Sequence, residues 1–190
     1  MATNDTKNVS VTKGIEGGYF YVAAIGSTLP TDYSTALASA FANVGFIADD
    51  GVQHKKSTST SDFKDGLTLH NVETALSEIT RDITVTLIEM SADAIKFVYG
   101  DDAVTVASGG DISYKDTDAA MKHVSIVEEL ILKNGRQYRR VFPNAQIIEW
   151  GDHSDVATDL QKRPVTLRLY PDSTGAYEYG YMEAAQDEDD

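Results

Sequence analysis

Short apolar runs that end in turn residues recur along this chain, and they restrict it to a fold built mainly of strands. The clearest example joins two such runs, Arg140–Gly151 and Arg163–Asp172, through a short polar loop. Asn134-Gly135 is a strong hairpin signal just upstream. Further strand candidates are 19–25, 46–51, 82–90, 104–106, 112–114, 124–132 and 177–182. Short strands with frequent turns predict a mainly β protein, an antiparallel β-sandwich or barrel.

The candidate strand 82–90 alternates between apolar and polar side chains, so its two sets must lie on opposite faces. The apolar set, which we expect in the core, is Ile83, Val85 and Leu87. The polar set is Asp82, Thr84 and Thr86. A slip of one residue would bury the acid, which is costly, so we expect the polar set to face water or another subunit.

Helix signals are few. Ser91 is a good N-cap and a glycine follows the apolar run, which predicts one short α-helix over about 91–99 at the side of the sheets. Thr31 or Asp32 is a second candidate cap, for a short helix through Leu37 and Phe41.

No linker or internal repeat divides the chain, so we expect a single domain over 1–190 with three polar appendages. Residues 1–16 are an N-terminal arm, and 183–190 are an acidic tail. Residues 48–66 are rich in Ser and Thr and form either a long loop or an extended hairpin. Polar segments of this kind are poorly able to fold alone, so we expect the arm and 48–66 to contact other subunits. The contact candidates are Asp49, Asp50, His54, Lys55, Lys56 and Phe63.

Composition narrows the function. The chain has 190 residues, 42% of them hydrophobic, which suits one domain with a real core. It has no cysteine and a net charge of −14, so disulfides are excluded and a tight grip on nucleic acid is disfavoured. No segment has the length and apolarity of a signal peptide or a membrane span, so we expect synthesis and folding in the cytoplasm and no membrane association.

Catalytic and metal-binding patterns do not stand out. The four histidines form no paired ligand motif, and Gly151–Asp155 suits a polar turn better than a cation loop. No nucleophile, nucleotide or dinucleotide motif is present, so we expect neither an enzyme nor a cofactor. Alternation places Tyr177, Tyr179 and Tyr181 on one face, as a sugar-stacking platform or, more simply, as packing residues.

The order and spacing of several segments resemble the tail tube (major tail) proteins of long-tailed bacteriophages with non-contractile tails. Besides the two runs above, the segments are Gly18–Thr31, Gly45–Gly51, Thr84–Asp93 and Ile95–Gly100. The resemblance covers most of residues 17–182. It implies a structural virion protein with a β-sandwich and one flanking helix, which forms hexameric rings that stack into a tube for genome ejection.

The resemblance also implies partners: other copies of the chain, and tail proteins such as the tape measure and the terminator. Assembly would take place in the host cytoplasm, and DNA would pass through a typically negative lumen without specific binding. Asp82, Thr84 and Thr86 are then candidates for the lumen or a seam between subunits. Two other functions remain open, a tail terminator or head–tail connector that forms single rings, and a carbohydrate-binding β-sandwich.

Overall fold

The computed structural model describes residues 9–117, 122–153 and 155–185, and it is mainly antiparallel β. The strands are β1 (Lys13–Gly14), β2 (Phe20–Ala24), β3 (Ala42–Asn43), β4 (Ile47–Lys64), β5 (Asn71–Leu87), β6 (Val104–Val106), β7 (Ile112–Tyr114), β8 (His123–Ile131), β9 (Gln137–Trp150), β10 (Arg163–Leu169) and β11 (Tyr179–Met182). The expected fold class, mainly antiparallel β with one short helix, is confirmed.

Nine strands form one sheet in the order β3-β2-β8-β9-β10-β5-β4, with β1 beside β8 and β11 beside β9. The separate pair β6–β7 is a small ribbon. A five-residue connection around a 3₁₀ turn, Lys133–Gly135, joins β8 to β9. The predicted hairpin is therefore present, with a longer connection than the two-residue turn that its sequence signals.

The main core lies inside the curl of this sheet. Its buried residues come from β2, β5, β8, β9 and β10, and they include Phe20, Ile83, Ile126, Phe142 and Leu167. Ile47 and Val52 of β4 pack against the same cluster, although β4 is the far edge strand. The sheet therefore bends back so that β4 and β5 meet β8 and β9, and burial of these side chains is the main stabilising term.

A second, smaller core lies on the opposite face of β2, β8 and β9. Its buried residues are Ala23, Phe41, Val127 and Val141. The segment between β2 and β3 covers it, together with the tyrosines of β11. The helix expected from Asp32 to Phe41 is wrong. The Asp32 carboxylate accepts from the backbone N–H groups of Ser34 and Thr35, at 2.7 and 2.6 Å, but the chain then continues irregularly. Local capping alone did not sustain a helix there.

The predicted flanking helix is present as α1 (Ala92–Tyr99). Ser91 caps it, because its hydroxyl accepts from the Ala94 N–H at 3.3 Å. Gly100 ends it with a φ of 90°, a conformation that side chains rarely adopt. The buried face of α1 closes one side of the main core.

Residues 48–64 belong to β4, so this segment is one strand of an extended hairpin with β5 and not a loop. β4 pairs with β5 from Ile47 out to Lys64, and the register shifts between Ile47 and Val52 and at two places further out. The strand expected to stop at Gly51 therefore continues for thirteen more residues. Ser, Thr and Lys side chains suit a strand that is exposed to water on both faces. Such a strand has no apolar alternation, so its sequence does not distinguish it from a loop.

The terminal appendages are partly anchored. Of the predicted arm, residues 1–8 lie outside the described residues, whereas β1 pairs with β8 and Ser10 accepts a hydrogen bond from the Lys133 N–H at 2.6 Å. Of the predicted acidic tail, residues 186–190 lie outside the described residues. The Glu183 carbonyl accepts from Arg136 at 3.0 and 3.1 Å. Within the described part of the chain, no helix is long and apolar enough to cross a membrane.

Candidate assembly surfaces

The polar face of β5 carries two of the predicted exposed residues, and both are paired with β10. Asp82 accepts from the Arg168 guanidinium at 2.9 and 3.3 Å. This hydrogen bond raises the pKa of Arg168 above its ordinary value. Thr84 and Thr166 share a hydroxyl hydrogen bond of 3.3 Å on the next row. Asp82 is therefore not a free negative charge, because the neighbouring strand neutralises it.

Thr86, the third residue of that set, is only 7% exposed. Its hydroxyl lies 3.4 Å from the Asp50 carboxylate, and Pro164 is its cross-strand neighbour on β10. The expectation of a fully wet face is therefore wrong at Thr86, where the register shift of β4 brings Asp50 over the strand. The apolar set is confirmed, because Ile83, Val85 and Leu87 are all buried in the main core.

Asp49 and Asp50 are exposed at the start of β4 and line a shallow cavity of about 280 Å³. Asp152 and Asp159 approach the same cavity. Among the residues that the structure describes, no three His, Cys, Asp or Glu side chains are grouped to hold a metal ion. The cavity is thus a solvated acidic surface in the described structure.

His54 marks the root of the β4–β5 hairpin. Its ring stacks on Phe142 with centroids 5.5 Å apart, and its Nε2 lies 3.1 Å from Oε1 of Glu128. Glu128 is buried and its Oε2 lies 3.5 Å from Arg140. Oε1 accepts no well-aligned hydrogen bond from the described residues, despite its distance to His54. His54 thus anchors the hairpin root to β8 and β9, while its side chain remains 26% exposed.

Beyond His54 the hairpin leaves the body of the subunit. Lys55 and Lys56 are exposed and stand opposite Asp82 and Arg81. β10 pairs with β5 only from Asp82 to Leu87, so from Thr58–Ile79 outward the hairpin has two strands and no second layer. Isolated two-stranded hairpins are marginally stable in water. We call residues 58–79 the distal hairpin.

The end of the distal hairpin exposes several large apolar side chains, and we call residues 63–73 the hairpin tip. Phe63 is 54% exposed and Leu67 is 96% exposed. Leu69 and Val72 are also exposed, and Leu69 has a φ of 58°, unusual for a branched side chain. Asp65 holds the turn, since its carboxylate accepts from the Thr68 N–H at 2.6 Å, and these bonds lower its pKa. The tip is a shaped turn with apolar residues directed into solvent.

The tyrosines near the C-terminus do not form a shared platform. Tyr177 lies before β11 and packs against the main core, where Arg81 stacks over its ring at 3.9 Å. Tyr179 and Tyr181 pack against the second core, on the other face of the sheet. The Tyr179 hydroxyl donates to Asp172 at 2.6 Å. The one-face prediction is therefore wrong for Tyr177, and these side chains pack within the chain.

Two buried ion pairs were not predicted from the sequence. On one face of β8 and β9, Glu128 lies beside Arg140; on the other, Arg139 donates to Glu129 at 2.8 Å. Arg139 also donates to the Asp32 carbonyl at 2.7 Å, which fixes the segment over the second core. The signal was the pattern Glu-Glu before the turn and Arg-Arg after it. The register of the hairpin places each glutamate opposite one arginine.

Both the structure and the sequence of this chain are similar to those of known proteins. Among solved structures, the chain is similar to the tube-terminating cap of the anti-feeding prophage, at 12% identity and a TM-score of 0.41, over 93% of this chain and 96% of that one. It is also similar to the sheath–tube complex of an extracellular contractile injection system, at 15% identity and a TM-score of 0.39, over 90% and 91%. No curated protein matches the sequence significantly. The sequence itself matches the family described as phage tail tube protein over residues 1–186. The chain therefore belongs to the phage tail tube protein family.

Proposed function

We propose that this protein forms stacked hexameric rings that make the tail tube of a long-tailed phage, and that the tube conducts the genome out of the capsid. The resemblance in sequence points to a non-contractile tail. The protein acts as a structural component without enzymatic activity or cofactor. It is assembled in the host cytoplasm and works with a tape measure and a terminator.

The observation that carries this proposal is the distal hairpin. A two-stranded ribbon with Phe63, Leu67, Leu69 and Val72 in water has no reason to be ordered in an isolated subunit. Large exposed apolar patches mark interaction sites. Because residues 1–186 match the phage tail tube protein family, another copy of the chain is the partner that fits.

The lumen is a second part of the proposal. The half-exposed face of Asp82, Thr84, Thr166 and Arg168 carries a neutral ion pair and two hydroxyls, so it has no excess of positive charge. Such a surface does not hold phosphates, since binding of nucleic acid needs unpaired Lys and Arg. We assign this face to the lumen or to a seam between subunits. The negative potential expected of a lumen must come from other acids of a chain with net charge −14.

Electron microscopy of the purified protein tests the function. We expect hollow tubes of uniform width with sixfold symmetry in averaged end views. Lone rings at all concentrations would favour a terminator or connector. Featureless monomers that bind glycans would favour a carbohydrate-binding domain, and either result would overturn the proposal.

A further inference from the structure

The end of the molecule opposite the hairpin tip also exposes apolar side chains. At the hairpin root, Met90, Ile112, Tyr114 and Trp150 are all between about a third and a half exposed. They come from three places: the segment after β5, strand β7 of the β6–β7 ribbon and the end of β9. Together with Arg163 of β10 we call them the root patch.

Direct contacts connect most of the root patch. Arg163 donates to the Tyr99 hydroxyl at 2.9 Å and approaches the Met90 sulfur at 3.4 Å. Tyr99 stacks on Tyr114 with centroids 4.5 Å apart. The Trp150 indole N–H donates to the Val98 carbonyl of α1 at 3.1 Å. These bonds hold the aromatic rings in fixed positions, so the patch is organised before any partner arrives.

The composition of the root patch is that of a binding hot spot. Trp, Tyr, Met and Arg are enriched at the centres of protein interfaces, where each fills or forms a pocket. Arg163 adds a positive charge that has no carboxylate partner among the described residues. Its guanidinium contacts a tyrosine hydroxyl and a thioether, and among the described residues no carboxylate lies within 4 Å of it. An acidic side chain from outside the subunit would complete it.

The hairpin tip supplies both features that the root patch lacks. Its exposed aliphatic side chains match the aromatic surface, and the distal hairpin carries four carboxylates against one lysine. Asp62 and Asp65 are already engaged by Thr74 and Thr68. Glu73 stands directly opposite Phe63 at the tip and is exposed. Its Oε1 accepts from the backbone N–H of Thr74 at 3.2 Å, and among the described residues it has no cationic partner.

The two surfaces lie at opposite ends of the same chain. From the level of Leu87 to Glu73 an extended strand spans roughly 45 Å, so a tip cannot reach the root patch of its own subunit. A contact between different patches on identical subunits is head-to-tail, and it propagates until symmetry closes it. Such a contact adds subunits along one direction.

We propose that the hairpin tip of one subunit docks on the root patch of another copy, with Leu67 and Leu69 against Tyr114, Ile112 and Trp150, and Glu73 on Arg163. This rests on the proposed function and names the surface that receives the hairpin. The cavity of about 270 Å³ beside α1 is a poorer receiver, since its lining contains four alanines and one glycine, which offer little contact area. Its two lysines, Lys96 and Lys122, are already paired with Asp93 and Asp102.

Cysteine cross-linking tests the contact directly, because the chain contains no cysteine of its own. Leu67→Cys protein is mixed with Ile112→Cys protein, assembled, and treated with a short thiol-specific cross-linker. Met182→Cys is the matched control, since Met182 is also an exposed apolar residue but lies on β11, away from the root patch. We expect covalent dimers from Leu67→Cys with Ile112→Cys and few from Leu67→Cys with Met182→Cys.

A charge swap provides a second readout. Arg163→Glu should raise the protein concentration needed for assembly by on the order of tenfold, and Glu73→Arg in the same chain should restore it. Circular dichroism confirms that each variant is folded. Tubes without the Leu67–Ile112 cross-link, or an Arg163→Glu variant that assembles normally, would overturn the contact and leave the tube function intact. Cross-linked dimers without tubes would overturn the stacked-ring function and leave the contact standing.

Discussion

The two halves of β5 have the same kind of sequence but opposite environments. In the inner half, Ile83, Val85 and Leu87 are at most 1% exposed. In the outer half, Val72, Leu76 and Ile79 are 36–65% exposed. Both halves pair with β4, so that pairing does not distinguish them. The difference is that β10 and the main core accompany only the inner half.

Alternation therefore predicts that a segment is a strand, but not which part of the molecule packs against it. The inner half packs against the rest of its own subunit and stabilises that subunit. The outer half has no second layer, and we expect it to contact another copy. Substitutions of the same chemistry should then have different effects in the two regions, on unfolding in one and on assembly in the other.

The largest effect is expected in the main core. Phe142 is fully buried and stacks on His54 at the point where the sheet closes. Phe142→Ala should lower the free energy of unfolding by about 3–5 kcal/mol, through lost burial and the cavity left behind. Urea denaturation of the unassembled subunit measures this. A loss below about 1 kcal/mol would show that the site lies outside the stabilising core.

The buried ion pair over the second core should come next. Arg139→Met leaves the Glu129 carboxylate buried without its partner, which should cost about 3 kcal/mol. The double variant Arg139→Met with Glu129→Leu should recover most of that stability, since both charges are then absent. If the double variant were as unstable as the single one, the bond from Arg139 to the Asp32 carbonyl would be the more important contact.

At the hairpin tip, a Phe-to-Ala substitution should affect assembly and leave the stability of the subunit nearly unchanged. Phe63→Ala should change the free energy of unfolding by no more than about 0.5 kcal/mol, since Phe63 is exposed in the subunit. It should weaken tube formation, measured by sedimentation of assembled material against concentration. Loss of stability comparable to that of Phe142→Ala would remove the distinction between the two regions.

The smallest effect concerns pH. Hydrogen bonds from Tyr179 and Thr174 hold the pKa of Asp172 at about 2, against an ordinary value of 3.8. A carboxylate whose pKa is lowered in the folded state stabilises the fold at pH values above its ordinary pKa. That stabilisation is lost as the pH falls towards 2. The difference in unfolding midpoint between wild type and Asp172→Asn should therefore be largest near about pH 5 and shrink as the pH falls to about 2. A difference that is constant across this range would contradict the assignment.

Much of the fold could be predicted from local patterns. The flanking helix follows from Ser91 and Gly100, and the buried set of β5 follows from alternation. The extended hairpin was one of two alternatives for 48–66, because Ser- and Thr-rich strands and loops have similar compositions. No local pattern decides between them, since the partner strand lies up to forty residues away along the chain.

The assembly surfaces were harder to predict for a physical reason. Asp82 had the right alternation, but its partner Arg168 is brought to it only by the pairing of β10 with β5. The contacts of His54 with Phe142 and Glu128 could not be foreseen either, because the curl of the sheet creates them. The apolar residues at 67–72 stand between two polar runs. Their exposure, which indicates a contact surface, becomes visible only when the structure shows that no second layer covers them.

The central claim is that the distal hairpin serves assembly and not the stability of the subunit. Thr58 and Ile79 face each other across the hairpin, so residues 59–78 can be replaced by Asn-Gly, a sequence that favours a two-residue turn. Electron microscopy and urea denaturation of this shortened protein test the claim together. We predict a folded subunit with an unfolding free energy close to that of wild type and no tubes at any concentration. Tubes of normal width and length from the shortened protein would contradict the account.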